Sequence, residues 1–296
     1  MMKKMTGKRL SYNTRLLIIA VSAALSLLPI IFIFTNSFMG ATEAAARYTS
    51  LLTPNSSFGT FSSGMHYMEF GFLPEIISIS GWREILIENP ANLRYMLNSI
   101  VLTIPIVAGQ LIIAPLAAYS FERAKFRHKD KLFFAYIIIM LLPMQALLVP
   151  HFIAANYLGF SDSYLGIILP ALFAPFSVFL IRQQMKGFEK EVIEAAKVDG
   201  ANEFSIFLRI MLPSIKPAMT ALAVLAFAEA WNIVDQAVVF IKDNFAMPMS
   251  VHLSVGLAGD IGVVFALSSL FMIPALVIFI YGQDDLGEGL GYSGRK

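Results

Sequence analysis

The chain has 296 residues, 57% of them hydrophobic and only 14% charged, where a soluble domain usually carries about 25% charge. Its 25 Phe and 15 Met leave too little polar surface for a water-soluble fold, and a formal net charge of +2 points to no nucleic-acid partner. Cys is absent, which excludes a disulfide framework and thiolate metal sites, and the four His form neither HExxH nor a paired ligand spacing.

The charges fall in clumps. Residues 16–42, 95–121, 132–161, 163–181 and 261–283 contain no Asp, Glu, Lys or Arg. Each run meets the ~17–25 apolar residues needed to cross a hydrocarbon core of ~30 Å. In chain order they predict spans near 16–38, 93–119, 132–155, 164–181 and 261–281, with another near 218–240. The expected fold is an all-α integral membrane protein with six transmembrane helices. The first span follows Lys3, Lys4, Lys8 and Arg9 and precedes Ala44-Ala45-Ala46, a layout shared with secretory signals. Its apolar stretch, Leu16 to Phe34, exceeds the ~7–15 residues of a signal, so an uncleaved anchor is expected.

A cytoplasmic amino terminus puts 18 of the 22 Lys and Arg into residues 1–15, 120–131, 182–217 and 282–296. The positive-inside rule therefore predicts that both termini are cytoplasmic. The organisation that follows is an amino tail (1–15), a six-helix domain (16–281) and a carboxyl tail (282–296). Residues 39–92 form the longest outer segment. Within it, 72–92 reads as partly helical, bounded by Pro74 and Pro90, with Trp82 at the membrane interface. Pro29, Pro105, Pro115, Pro143, Pro170, Pro175 and Pro274 predict bends whose freed carbonyls need partners inside the protein.

Between the fourth and fifth spans, residues 183–217 are too polar to cross and too patterned for a tether. Good helix formers run from Glu189 to Val198, and Gly200 supplies a position free to adopt positive φ. A second helix is expected from about Ala201 or Asn202 to Met211, with Phe204, Phe207, Leu208 and Met211 on one face, ended by Pro213 and Pro217. The product is a compact helix-turn-helix whose small Ala195 and Ala196 admit close approach by another protein.

The fifth span carries the polar anomaly. An acid at mid-helix costs roughly 2.5–3.5 kcal/mol on an insertion scale. The nine Leu, Ile, Phe and Val between 218 and 240 return about 3–5 kcal/mol together. Glu229 nearly cancels them, so this face should turn inward. Glu229, Asn232 and Gln236 recur at i, i+3 and i+7, which predicts one helical stripe bordered by Asp235. Three roles stay open for it: lining a pathway for hydroxyl-rich solutes, pairing within the bundle, or relaying protons or ions.

Residues 194–217, EAAKVDGANEFSIFLRIMLPSIKP, resemble the EAA loop of the permease subunits of binding-protein-dependent ABC importers. RYMLNS at 94–99, AAYSFERAKF at 117–126, LLPMQALLVP at 141–150 and WN at 231–232 extend the resemblance, which is to carbohydrate permeases of the maltose-transporter MalG type. It implies the type I importer architecture, a second and different permease subunit, two ATPase subunits and an extracytoplasmic solute-binding protein, in a bacterial or archaeal inner membrane. Glu194, Ala195, Ala196, Asp199, Gly200, Ala201, Phe204 and Pro213 would couple to the ATPase. Glu229, Asn232, Asp235 and Gln236 are the candidate pathway residues. ATP and Mg would belong to the partners, since EGLGYSGRK lacks the Ser/Thr and the strand-to-helix context of a phosphate loop. The chain is thus expected to be a transport subunit and not an enzyme, carrying a sugar or related polyhydroxyl solute. Two departures are visible: Ile233 follows Asn232 where relatives often place an acid, and Gln283 leads into Asp284 and Asp285. An ion-gradient-driven transporter, which leaves the 183–217 pattern unexplained, and a noncatalytic scaffold, for which the polar groups of the fifth span would be purely structural, are the alternatives.

Overall fold

A computed structural model describes residues 2–52, 71–124, 126–255 and 261–291, with side chains excepted at 2–11, 49–52, 255 and 288–291. The described residues are helical with short connections, and the chain separates into two compact units: residues 1–92 with 256–271, and residues 93–255 with 272–296.

In the first unit, α1 (Met2–Asn36) is one helix through Pro29, so the expected amino tail is helical as well. The apolar residues of its middle, Leu16 to Leu28, are exposed. Its end is held by Asn36 and Ser37, both fully buried. α2 (Ala41–Leu52) follows and contains Ala44-Ala45-Ala46, with Ala44 buried against Phe32, Ile261 and Phe265. Glu43 on α2 accepts from the backbone N–H groups of Glu75 and Ile76 and pairs with Arg47, which also reaches Glu75. These bonds fasten the irregular 71–79 stretch, part of the expected outer segment, whose residues 53–70 lie outside the described residues. α3 (Ser80–Arg83) continues as a wider π-turn to Glu88. Trp82 donates its indole N–H to Ser37 Oγ at 3.2 Å.

The second unit is built on α4 (Pro90–Arg123), which passes Pro105 and Pro115 without a break. α5 (Lys129–Met140) and α6 (Met144–Tyr157) replace the straight third span that was expected: the pair bends by 105° at 141–143. Pro143 causes the break. It has no N–H to continue α5, its backbone is extended (φ −64°, ψ 140°), and α5 closes with the tighter bonds Leu141 N to Ile138 O and Leu142 N to Ile139 O.

α7 (Leu165–Leu172) and α8 (Pro175–Lys186) make a near-continuous fourth span, 165–186. In an unbroken helix the carbonyl of Ala171 would accept from residue 175, but that residue is proline and carries no N–H. Gln110 of α4 donates to this carbonyl instead, Nε2 to O 2.8 Å, and its Oε1 accepts from Ser177 Oγ at 2.9 Å. Gln110 and Ser177 are buried, so the arrangement replaces water that the site excludes. Gly109 permits the approach, because a Cβ there would meet Leu172 Cδ2 at 2.2 Å. Tyr136 of α5 donates to the neighbouring Phe173 carbonyl.

Next come α9 (Lys190–Val198), α10 (Glu203–Ile206), a π-turn at 207–211 and α11 (Leu212–Ser214). α12 (Lys216–Trp231) turns by 76° from the preceding helix at Ile215. The expected 218–240 helix is not continuous: α12 stops at Trp231, and α13 (Asp235–Phe240) starts after a break. Asn232 closes α12 by donating its side-chain amide to Ala228 O at 2.8 Å, and Ser250 donates to the released Ile233 carbonyl. Asp235 then sits in the first turn of α13, where free N–H groups favour a carboxylate. α14 (Met249–Val255) and α15 (Ile261–Gly291) complete the chain, α15 running past Pro274 and the expected end at 281.

Among the described residues, four helical segments are each long and apolar enough to cross a membrane, at 12–36, 90–123, 165–186 and 261–287. The bent pairs 129–157 and 203–231 raise the number to six if each is one span. The fold is therefore all-α and multi-pass.

The Gln110 bridge generates a test. Gln110→Leu should cost about 1–3 kcal/mol by leaving Ala171 O without its donor inside the protein, read as a lower midpoint of thermal unfolding in detergent. Ser177→Ala, which removes only the outer bond, should cost less.

Candidate functional site

The 190–214 segment forms the expected two helices around a turn. Gly200 has φ +84° with nothing within 4 Å of where a Cβ would stand, so glycine is there for backbone conformation and not for space. Asn202 caps the second helix, its Oδ1 accepting from Ser205 N at 2.7 Å. The second helix reaches Ser214 and carries Pro213 inside it. The π-turn before that proline, with Leu212 N–H bonding Phe207 O, absorbs the missing donor.

The expected apolar face divides into a root and a tip. Ile193, Ile206, Phe207 and Met211 are buried in the core that also holds Ala114 and Ala118 of α4 and Val178, Ile181 and Met185 of α8. Val198 and Phe204 are 88% and 66% exposed, and Leu208 is exposed too. Glu194, Ala195, Asp199, Gly200 and Pro213 are also exposed, while Ala196 and Ala201 are half-buried against the root. A projection with a buried root and an apolar, exposed tip results.

The four candidate pathway residues are not on one helical stripe. Glu229 and Asn232 end α12 and Asp235 and Gln236 begin α13, so the break cancels the i, i+3, i+7 relation. Glu229, Asn232 and Asp235 are exposed and Gln236 is half-buried. Asn232 spends part of its amide on the helix end. Asp235 accepts from Gln145 Nε2 at 3.3 Å, which brings the start of α6 beside the start of α13. The pairing of two interrupted helices through Gln145 is absent from any sequence periodicity, because 90 residues separate the two partners.

Sequence reasoning also passed over residues at the two ends of α4. From the RYMLNS stretch, Asn98 donates to the carbonyls of Phe245 and Met247 at 2.8 and 3.0 Å, and Ser99 Oγ accepts from Met249 N at 2.8 Å. Tyr95 stacks on His252 at 4.3 Å, and the Arg94 guanidinium lies over Phe245. At the other end, Glu122 pairs with Arg182, which also reaches Asp130 and lies 3.8 Å from the centre of the Phe133 ring. Tyr119 donates to Glu203 Oε2 at 2.7 Å, and Glu203 Oε1 takes the Lys197 ammonium. Lys197, then Tyr119, hold the Glu203 carboxyl below the usual glutamate range. Spacing within each motif was the available signal: 94, 95, 98 and 99 share a helical face.

Residues 92–283 match the family model described as "binding-protein-dependent transport system inner membrane component". The chain belongs to this family. It is 29% identical over 228 residues, 76% of this chain and 82% of the relative, to the arabinooligosaccharides transport system permease protein AraQ of Halalkalibacterium halodurans. Over 200 residues it is 30% identical to the osmoprotective compounds uptake permease protein GgtD of Synechocystis, covering 66% of this chain and 67% of that one. Among solved structures, a chain of a bacterial ABC transporter involved in the import of the acidic polysaccharide alginate superimposes with a TM-score of 0.75 at 23% identity, over 93% of this chain and 96% of that one. The protein is thus a membrane permease component of the ABC importer class, with the all-α multi-pass fold of that class. Subunits of this kind are not themselves catalytic.

Gly200 supplies a local test of the turn. Gly200→Ala should destabilise by ~1–2 kcal/mol through the left-handed backbone alone, and Gly200→Asn by less, as measured by thermal unfolding. An equal cost for both would mean that something other than φ governs the position.

Proposed function

We propose that this permease forms half of the translocation pathway of an ATP-driven importer for a sugar or related polyhydroxyl solute. It couples to a separate ATPase through the helix-turn-helix at 194–213. One observation carries the coupling: Val198 and Phe204 stand uncovered at the tip of a projection whose root is buried among α4 and α8. Apolar side chains of that size at the end of a rigid element suit insertion into a cleft of another protein. Exposed Ala195 lets the partner approach the backbone, Glu194 and Asp199 offer charge at the rim, and Gly200 sets the angle between the two arms. ATP-driven closure of the partners would push this elbow and open the path outward, after which the solute-binding protein delivers its cargo. Two ATPase subunits holding ATP and Mg, a second permease chain and that binding protein complete the assembly. Charge placement supports cytoplasmic termini in an inner membrane.

The solute class is supported by relatives whose names include arabinooligosaccharides, lactose and alpha-glucoside transport. The motif order fits the maltose-transporter MalG type within that group. Glu229, Asn232, Asp235 and Gln236, joined by Gln145, present amides and carboxylates at two helix breaks. Amides and carboxylates grouped in this way can donate to and accept from the hydroxyls of a solute.

The test is ATP-dependent uptake by the complete complex in vesicles. Glu194→Lys and Gly200→Pro should leave membrane insertion intact and reduce uptake about tenfold or more; normal uptake by a well-assembled variant would sink the coupling role. Asp235→Asn keeps the size of the side chain and the contact to Gln145. It should change uptake several-fold while leaving the yield of assembled complex as it was, and parallel loss of both would make the residue structural.

A further inference from the structure

We propose that Tyr119 is a positioning residue that ties the turn of the 190–214 projection to α4, so that α4 moves with the elbow. The inference rests on the coupling role proposed above. By chain connectivity the projection is attached only to α8, through residues 187–189, and to α12, through Ile215. α4 lies 84 residues away in sequence. Beside the apolar packing of the root, Glu203 supplies the polar connection: its Oε2 accepts from the Tyr119 hydroxyl at 2.7 Å, its main-chain carbonyl lies 3.5 Å from the same hydroxyl, and its Oε1 accepts from Lys197 Nζ. Lys197 is on α9 and Glu203 opens α10, so both arms flanking Gly200 meet on the group that Tyr119 holds.

The ring is fixed as firmly as the hydroxyl. Tyr119 stands edge-on to Phe207 of the root, centroids 5.2 Å apart and planes at 62°. It is one turn before the end of α4, where Glu122 is paired with Arg182 of α8. The end of α4 is thereby joined both to α8 and to the elbow, and a displacement of the tip pulls on three helices where the chain alone would supply two. Packing of the root against Ala118 holds the two together without fixing direction, and the hydroxyl bond adds a directional tie at the turn.

Tyr119→Phe separates this role from packing, since it keeps the ring on Phe207 and removes only the O–H. In the complete complex in vesicles, solute imported per ATP hydrolysed should fall about fivefold, with ATP hydrolysis and assembled yield retained. Glu203→Ala should lower the ratio in the same direction, although the hydroxyl keeps the Glu203 main-chain carbonyl at 3.5 Å, and the double variant should fall short of the sum of the two losses, because both act on one tie. Gly200→Pro run alongside distinguishes the two levels. If it abolishes uptake while Tyr119→Phe keeps a normal ratio of solute to ATP, the tie is overturned and the coupling role stands. If it leaves uptake unchanged, the coupling role fails and the tie with it. Equal losses of uptake, hydrolysis and assembled complex in Tyr119→Phe would also overturn the tie, since they mark a purely structural bond.

Discussion

A backbone carbonyl released by proline or by a helix break inside hydrocarbon has no water to accept from, and each one left bare costs several kcal/mol. In the second unit that constraint decides which helices touch and where. Pro175 strips the donor from Ala171 O, and the replacement comes from Gln110 of α4, which in turn receives Ser177. The break at 232–234 is handled in the same way, by the Asn232 amide on Ala228 O and by Ser250 on Ile233 O. Each repair is a side chain that can reach only from one direction. The Gln110 and Ser250 repairs therefore fix contacts between elements that lipid-like packing alone would leave free to slide, while Asn232 closes its own helix.

The same helix, α4, collects most of these obligations. Asn98 and Ser99 near its start hold the 245–249 stretch, Gln110 at its middle repairs the fourth span, and Tyr119 and Glu122 at its end engage the projection and α8. A long helix that passes two prolines unbroken is suited to this, since its polar side chains point in several directions around the axis and so reach different neighbours along its length. The projection divides into a buried root and an exposed tip: Phe207 and Met211 are covered in the core shared with α4 and α8, while Phe204 and Val198 stay exposed.

The quoted motifs were legible as a family resemblance before they were legible as physics. RYMLNS, AAYSFERAKF, LLPMQALLVP and WN carried the resemblance without a stated physical role. In the structure each does a local job: a clasp on a loop, a latch at a helix end, a proline break, a helix cap. Charge-free runs marked where apolar helices lie, but they could not mark an internal bend, because Pro143, which breaks the third span, and Pro115, which leaves α4 intact, stand in equally apolar sequence. The stripe at 229, 232 and 236 failed for a related reason. Periodicity assumes one continuous helix, and Asn232 is a residue whose amide can end one.

Sequence by itself determined that the protein crosses a membrane, roughly where, and that residues 190–214 form two short helices about Gly200. Those are properties of hydropathy over some 20 residues or of a single backbone angle, both local quantities. Only the tertiary structure decided that Phe207 is root and Phe204 tip, that Gln145 meets Asp235, and that Tyr119 reaches Glu203. These depend on contacts across 90, 84 and comparable separations, where the identity of a partner is set by how helices pack and not by any period along the chain.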